Sequence, residues 1–336
     1  MRMVQGMKDS FRKIWNLTQF RDLFFQGLAL LFIGLTAYMI IDNTAHNLRR
    51  QGIASGFGFL SQPSGFTVIQ SLIEFTGVDS YGKAFVVGLL NTFLVSSLGI
   101  IFATFVGFLM GVARLAKNRL IRGIASFYIE TVRNIPLLLQ IFIWYFVVLR
   151  SLPSPRESLS WFDLIFLNNR GLYLPWIVDG SLSVPSLQGF NFSGGLALIP
   201  EFTSLLAALS IYTGSFIAEI VRAGIQAVGK GQTEAANALG LNFLQSLRYV
   251  VIPQAFRVIV PPLTSQYLNL TKNSSLAAAI GYPDLVSVFA GTVLNQTGQA
   301  VEVIILTMAV YLSISLSIAF LMDRFNRRIK LKGHGS

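Results

Sequence analysis

Six stretches dominate the chain: residues 23–41, 85–113, 124–149, 196–221, 254–270 and 301–322 are apolar over 17 to 29 residues each, with few charges. A helix rises about 1.5 Å per residue, so about 20 apolar residues cross a hydrocarbon core of about 30 Å. Inside that core each backbone amide must be satisfied within its own segment, which makes runs of this length helices. The chain therefore reads as an all-α membrane protein of about six transmembrane helices. Composition agrees, because 12% of the 336 residues are charged where a soluble domain carries about a quarter. Stretch 23–41 follows a basic arm, 1–22, without a small-residue cleavage site, and reads as a retained anchor.

The formal net charge of +11 is informative through its position. With the N-terminus inside, 17 of the Lys and Arg residues fall in the cytoplasmic segments, the last of them the basic tail 324–336. The longer exterior segments hold seven: Arg49, Arg50, Lys83, Arg150, Arg156, Arg170 and Lys272. That asymmetry predicts both termini in the cytoplasm. Charge divided among short loops of one membrane face is also not the single basic stripe with interleaved aromatics that nucleic acid requires, so nucleic acid is excluded as a partner. The absence of cysteine removes disulfides, thiolate metal sites and cysteine nucleophiles. No metal-ligand cluster, Ser/His/Asp set or useful carboxylate pair lies in the helices, which argues against a membrane enzyme.

Two exterior connections are long. Residues 42–84 are rich in Gly and Ser between 52 and 65, and residues 150–195 hold Pro153, Pro155, Pro175 and Pro185 among many aromatics. Loops of this length either contact a partner or pack over their own subunit. Within the helices, Gly107-x-x-x-Gly111 offers a close approach to another helix, and Pro136 interrupts the third stretch.

The cytoplasmic connection 222–253 carries the strongest local pattern. Residues 232–239 favour helix, Gly240 is placed to end it in the left-handed conformation, and 242–251 favour helix again until Pro253. Two short helices thus meet at a glycine on the face where a soluble protein can dock. Gly224-Ile-Gln-Ala-Val-Gly229-Lys230-Gly231 mimics a phosphate loop, but it ends in Gly where Ser or Thr must hold magnesium and follows a membrane helix instead of a strand.

Glu234-Ala235-Ala236, three residues, Gly240, nine residues, then Val250-Val251-Ile252-Pro253 resembles the EAA loop of the membrane subunits of binding-protein-dependent ABC importers, E-A-A-x3-G-x9-I-x-L-P, with Val250 for Ile and Ile252 for Leu. Glu130-Thr-Val-Arg133-Asn-Ile-Pro136-Leu-Leu-Leu-Gln140 is similar to the E-x-x-R-x-x-P-L-L-x-Q of its polar amino-acid branch, which takes in histidine, glutamine and general L-amino-acid permeases. Lys272-Asn273-Ser274-Ser275-Leu276 departs from that branch's K-D-T-S-L at two positions. The resemblance covers about residues 85–323. It implies the type I importer transmembrane fold, to which 23–41 adds a helix and 150–195 an exterior insertion. These additions look most like one of two unlike permeases of a general, acidic or neutral amino-acid importer.

The resemblance further implies a non-catalytic subunit of the bacterial inner membrane that imports polar L-amino acids. Its partners are a second, non-identical permease, two ATP-binding subunits holding ATP and Mg, and an exterior binding protein; the chain itself needs no cofactor. Glu234, Ala235, Ala236 and Gly240 are implied to form the coupling helix that enters the ATP-binding subunit. For the substrate path, the uncharged polar residues Asn91, Thr92 and Gln140 are candidates, with interhelical hydrogen bonding as the alternative. Gln140 gains weight because Pro136 frees a backbone carbonyl nearby. Glu219, four and seven residues after Ser215 and Tyr212 on one helix face, is the candidate intramembrane carboxylate. Glu130 with Arg133 and Glu219 with Arg222 are spaced to pair along a helix. The rival function is an ion-coupled secondary transporter of amino acids.

Overall fold

The computed structural model describes residues 18–329, apart from 51, 53, 54 and 179. The chain divides after Phe57 into two units, taken separately below. Among its described residues the first contains one helix, α1 (Thr18–Arg50), whose side chains from 21 to 43 are exposed along an apolar stretch long enough to span a membrane. Most of the expected basic arm, residues 1–17, lies outside the described residues, as do 330–336 of the tail.

In the second unit the central helix is α2 (Tyr81–Ala113), which starts four residues before the expected stretch. Ser80 caps it, accepting a hydrogen bond from the Lys83 amide, and Asp79 binds both the Thr76 amide and Lys83 Nζ at 2.8 Å. Lys83 holds the Asp79 carboxyl below the usual carboxylate range. Residues 58–80 accordingly fold over their own subunit: Ser64 and Gly65 donate to Asp79 and Gly77 carbonyls, and Phe59 packs on Tyr81 and Phe289.

α2 lies along α5 (Pro200–Gln226) through residues without side chains. A Cβ at Gly107 would come 2.5 Å from Ile217 Cβ, and one at Gly111 would come 2.6 Å from the Ala218 carbonyl oxygen. The close approach expected at this G-x-x-x-G is thus real, and its partner is α5. Van der Waals contact between backbones replaces the hydrophobic drive that lipid cannot supply.

The third expected stretch is not one straight span. α3 (Arg119–Asn134) and α4 (Leu137–Phe142, continued as a π-helix over Ile143–Leu149) diverge by 107° at Pro136. Proline has no amide to donate and disfavours helix at Ile135, so the chain turns there. α3 is strongly amphipathic, burying Ala125 and Ile129 while Leu120, Ile124 and Phe127 are exposed.

Connection 150–195, expected to be an irregular loop, is instead a β insertion. Strands β1 (Leu159–Trp161), β2 (Ile165–Asn168), β3 (Gly171–Leu174) and β8 (Leu196–Leu198) form an antiparallel sheet in that order, and β4 (Trp176–Val178) with β5 (Ser181–Ser183) and β6 (Ser186–Gln188) with β7 (Asn191–Ser193) form two hairpins. Residues 196–198 are therefore strand, and the fourth membrane helix begins only at Pro200.

After α5 come α6 (Lys230–Ala238), α7 (Phe243–Ser246, continued as a π-helix over Leu247–Val251) and α8 (Ile252–Asn273). Pro253 does not end the second short helix as expected. The π-helical turns over Leu247–Val251 lead without a break into α8, so Pro253 is taken up inside a continuous helix that runs on. A 3-10 segment (Ser274–Ile280) and a π segment (Val286–Val293) lead through α9 (Leu294–Thr297) to α10 (Ala300–Ile329). Four described helices are long and apolar enough to cross a membrane, or five spans when the bent α3–α4 pair counts as one. α8, the fifth expected stretch, is not among them: its Gln, Asn, Arg and Lys residues lower its apolarity, and it is packed between α5 and α10.

Candidate functional site

The loop around Gly240 is built from two helix-end devices placed back to back. Gly240 has φ +80, the left-handed region that glycine enters without steric cost. Its amide donates to Asn237 O at 2.9 Å and the Leu241 amide to Ala236 O at 3.1 Å, the paired bonds of a Schellman cap. Asn242 then caps α7: its Oδ1 accepts from the Gln245 amide at 3.0 Å while Gln245 Oε1 accepts from the Asn242 amide at 2.9 Å. Gln254 Nε2 donates to Gln232 Oε1 at 3.0 Å and ties the loop to the start of α8. A Cβ at Gly240 would meet nothing within 4 Å, so the demand there is conformational and not spatial.

This turn splits the Glu234 to Gly240 set. Glu234, Ala235 and Gly240 are exposed, with Leu239 82% exposed beside them. Ala236, expected on the docking surface, is only 3% exposed and packs inside the loop. The exposed set presents one carboxylate and a small apolar patch, which suits insertion into a cleft of another protein.

The cytoplasmic-end charges are arranged differently from the sequence reading. Glu219 and Arg222 do pair, but Glu130 does not pair with Arg133. Arg114, just after α2, bridges Glu219 at 2.6 Å and Glu130 at 3.0 Å, while Arg133 lies over the Phe216 ring, 4.9 Å from its centroid. One guanidinium thus joins the ends of α2, α3 and α5. Sequence spacing shows only pairs within one helix, and Arg114 is remote from both of its partners in the chain.

Most residues singled out for a substrate path spend their hydrogen bonds inside the fold. Asn91 Nδ2 donates to Gln70 O at 2.8 Å and to Pro283 O at 2.9 Å, and Thr92 Oγ1 accepts from the Leu285 amide at 3.0 Å. Both side chains are fully buried and hold the 283–285 turn against α2. Gln140 Nε2 donates to Val132 O and Ile135 O, at 2.8 and 2.9 Å. It therefore satisfies two of the carbonyls beside the Pro136 break. Ser215, 0% exposed, donates to Tyr212 O at 2.6 Å. Tyr212 is half-buried with its ring tilted against that of Phe216, and Glu219 belongs to the charge cluster.

Lys272, counted above with the exterior segments, lies within α8, and the neighbouring residues Leu270 and Thr271 pack at the middle of α2: Leu270 against Gly99, and Thr271 around a shared cavity with Ser96 and Ser97.

Comparison with known proteins gives this geometry a context. Residues 99–331 match the family described as binding-protein-dependent transport system inner membrane component. The putative amino-acid ABC transporter permease protein YhdX of Escherichia coli (strain K12) is 50% identical over 91% of this chain and 93% of its own length. The general L-amino acid transport system permease protein AapQ of Rhizobium johnstonii is 43% identical over 98% and 97%. Among solved structures, an amino acid ABC transporter crystallised with histidines matches with a TM-score of 0.56 and 29% identity, over 74% of this chain and 95% of that one. A family match over most of the spanning helices, joined to relatives that align nearly end to end, identifies this multi-pass chain as a member of the binding-protein-dependent transport system inner membrane component family.

Proposed function

We propose that the chain is the permease subunit of an ATP-driven importer of polar L-amino acids, with both termini in the cytoplasm and the Glu234 to Gly240 turn docked in an ATP-binding subunit. The observation that carries the reading is the turn itself: a rigid, fully capped bend that exposes Glu234, Ala235 and Leu239 directly beyond a membrane helix. Its attachment is stiff. α5 runs into α6 across three residues, and α5 is in turn fixed to α2 and α3 through Arg114. Closure of two ATP-binding subunits on ATP would move α6 and, with it, the ends of three helices.

The amino-acid class rests on the printed names of relatives, which include general L-amino acid and glutamate/glutamine/aspartate/asparagine permeases. A second permease, two ATP-binding subunits with ATP and Mg, and an exterior binding protein complete the transporter in this reading. The test is reconstitution of the complete set in vesicles enclosing ATP and Mg. Uptake of amino acid should require ATP and loaded binding protein, and should persist when ionophores collapse the ion gradients. Uptake that follows an ion gradient and ignores ATP would refute the proposal in favour of a secondary transporter.

A further inference from the structure

α3 crosses α5 instead of running beside it. Tyr128 and Glu130 are two residues apart, yet Tyr128 OH donates to Ile211 O at 2.6 Å while Glu130 shares Arg114 with Glu219, eight residues further along α5. Eight helical residues span about 12 Å, where two residues of a parallel helix would span about 3 Å. The turn of 107° at Pro136 has the same result, taking α3 away from the direction of α4, which packs on α5. Arg114 is the first charge after the uncharged run of α2, so the Glu130 side of α3 looks out of the membrane and the Tyr128 side looks into it. α3 therefore lies near the plane of the membrane, at the end of the spanning helices.

One flank of α3 rests on protein through the buried residues Ala125 and Ile129. On the other flank Leu120, Ile124 and Phe127 are each more than half exposed and recur at spacings of four and three, which makes one continuous apolar stripe. Gly111 of α2 meets Ala218, beside Glu219, so the stripe lies at the level where α2 exposes Leu109 and Val112 to lipid. In and just before the first turn of α3 stand Lys117, Arg119 and Arg122, all exposed. Arg122 Nη1 donates to Ala116 O at 3.5 Å, and among the described residues no carboxylate lies within ion-pair distance of any of the three. Leu and Phe on one side of a helix with Arg and Lys on another is the build of a segment that lies in a membrane interface. An anionic phospholipid meets both sides at once, because phosphate and acyl chain belong to one molecule.

We propose that α3 is an interfacial helix that binds anionic phospholipid of the cytoplasmic leaflet, with Lys117, Arg119 and Arg122 on the phosphates and Leu120, Ile124 and Phe127 among the acyl chains. The choice of leaflet rests on the importer reading above; the preference for anionic lipid does not. Each cation near an anionic surface strengthens attachment by about fivefold, and three do so by about a hundredfold. Through Glu130 and Arg114 the lipid-held helix is joined to α5, which leads into the Gly240 turn.

The chain contains no cysteine, so Phe127→Cys gives this subunit a single thiol that a maleimide fluorophore can label, and Ile124→Cys serves as a second position. In nanodiscs holding the complete transporter, phosphatidylglycerol with a nitroxide on its acyl chain should half-quench the label at a mole fraction at least about fivefold below that needed for nitroxide phosphatidylcholine. Raising the salt from about 0.05 to about 0.5 M should shrink the difference, and Lys117→Gln with Arg119→Gln and Arg122→Gln should abolish it. Labelled wild-type transporter controls for thiols in the other subunits. Equal quenching by the two lipids, a preference indifferent to salt, or a preference that survives the triple substitution would overturn the assignment. Absence of quenching by either lipid would overturn it as well, since the stripe is then covered by protein such as the second permease. If the triple variant fails to assemble, the salt series on the labelled single variant decides. A wild-type transporter without ATP-driven uptake would instead refute the importer reading and leave the lipid preference standing.

Discussion

At Gly107 and Gly111 a missing methyl group sets the distance between two helices. A side chain at Gly111 has no room, because the obstacle is the Ala218 carbonyl, a backbone atom that cannot swing aside. Gly111→Ala should therefore cost about 1–3 kcal/mol, read as a lower unfolding temperature of the purified protein in detergent. Gly123, in the middle of α3 with nothing within 4 Å of its Cβ position, is the contrasting case. Gly123→Ala should leave stability unchanged or raise it by up to about 1 kcal/mol, through helix propensity alone. The G-x-x-x-G spacing announced a close approach but could not name α5 as the partner, since spacing describes one helix only.

Elements were legible where one periodicity ran long and illegible where short pieces met. α2 and α10 followed from hydropathy, although α2 starts four residues earlier than expected and α10 runs on past 322 to Ile329. The eight strands of the insertion are three or four residues each, too short for an alternating pattern to emerge among prolines and glycines. At Pro136 the sequence signalled an interruption, and tertiary structure alone revealed a bend of 107° whose loose carbonyls Gln140 satisfies. The link between α2, α3 and α5 likewise required coordinates. Its two carboxylates are unequal: the Glu219 side chain is 27% exposed and that of Glu130 is 66% exposed. Exposed ion pairs contribute about 0–1 kcal/mol, and breaking a shielded one also leaves an uncompensated charge. Arg114→Gln should thus lower the unfolding temperature clearly, while Glu130→Gln should shift it little; equal shifts would show that shielding does not separate the two pairs.

Across the whole molecule, the second unit carries a buried core along α2, α5 and α8, a β insertion at one end and the Gly240 turn at the other. Large apolar side chains such as Phe105, Leu109, Leu312 and Phe320 are exposed on the outer faces of α2 and α10, as a chain solvated by lipid requires. The Glu234 to Gly240 pattern was the part of the site most fully legible, because a cap, a glycine and a second cap are local in sequence. What stayed hidden was the division of labour within it, with Ala236 turned inward and Ala235 outward. The central claim is that this turn transmits the work of ATP to the membrane helices. Gly240→Val tests it most directly, since a β-branched residue at φ +80 is strained while the space around it is open. In the reconstituted transporter, Gly240→Val should insert and assemble at wild-type levels yet lose ATP-driven amino-acid uptake; uptake at the wild-type rate would contradict the account.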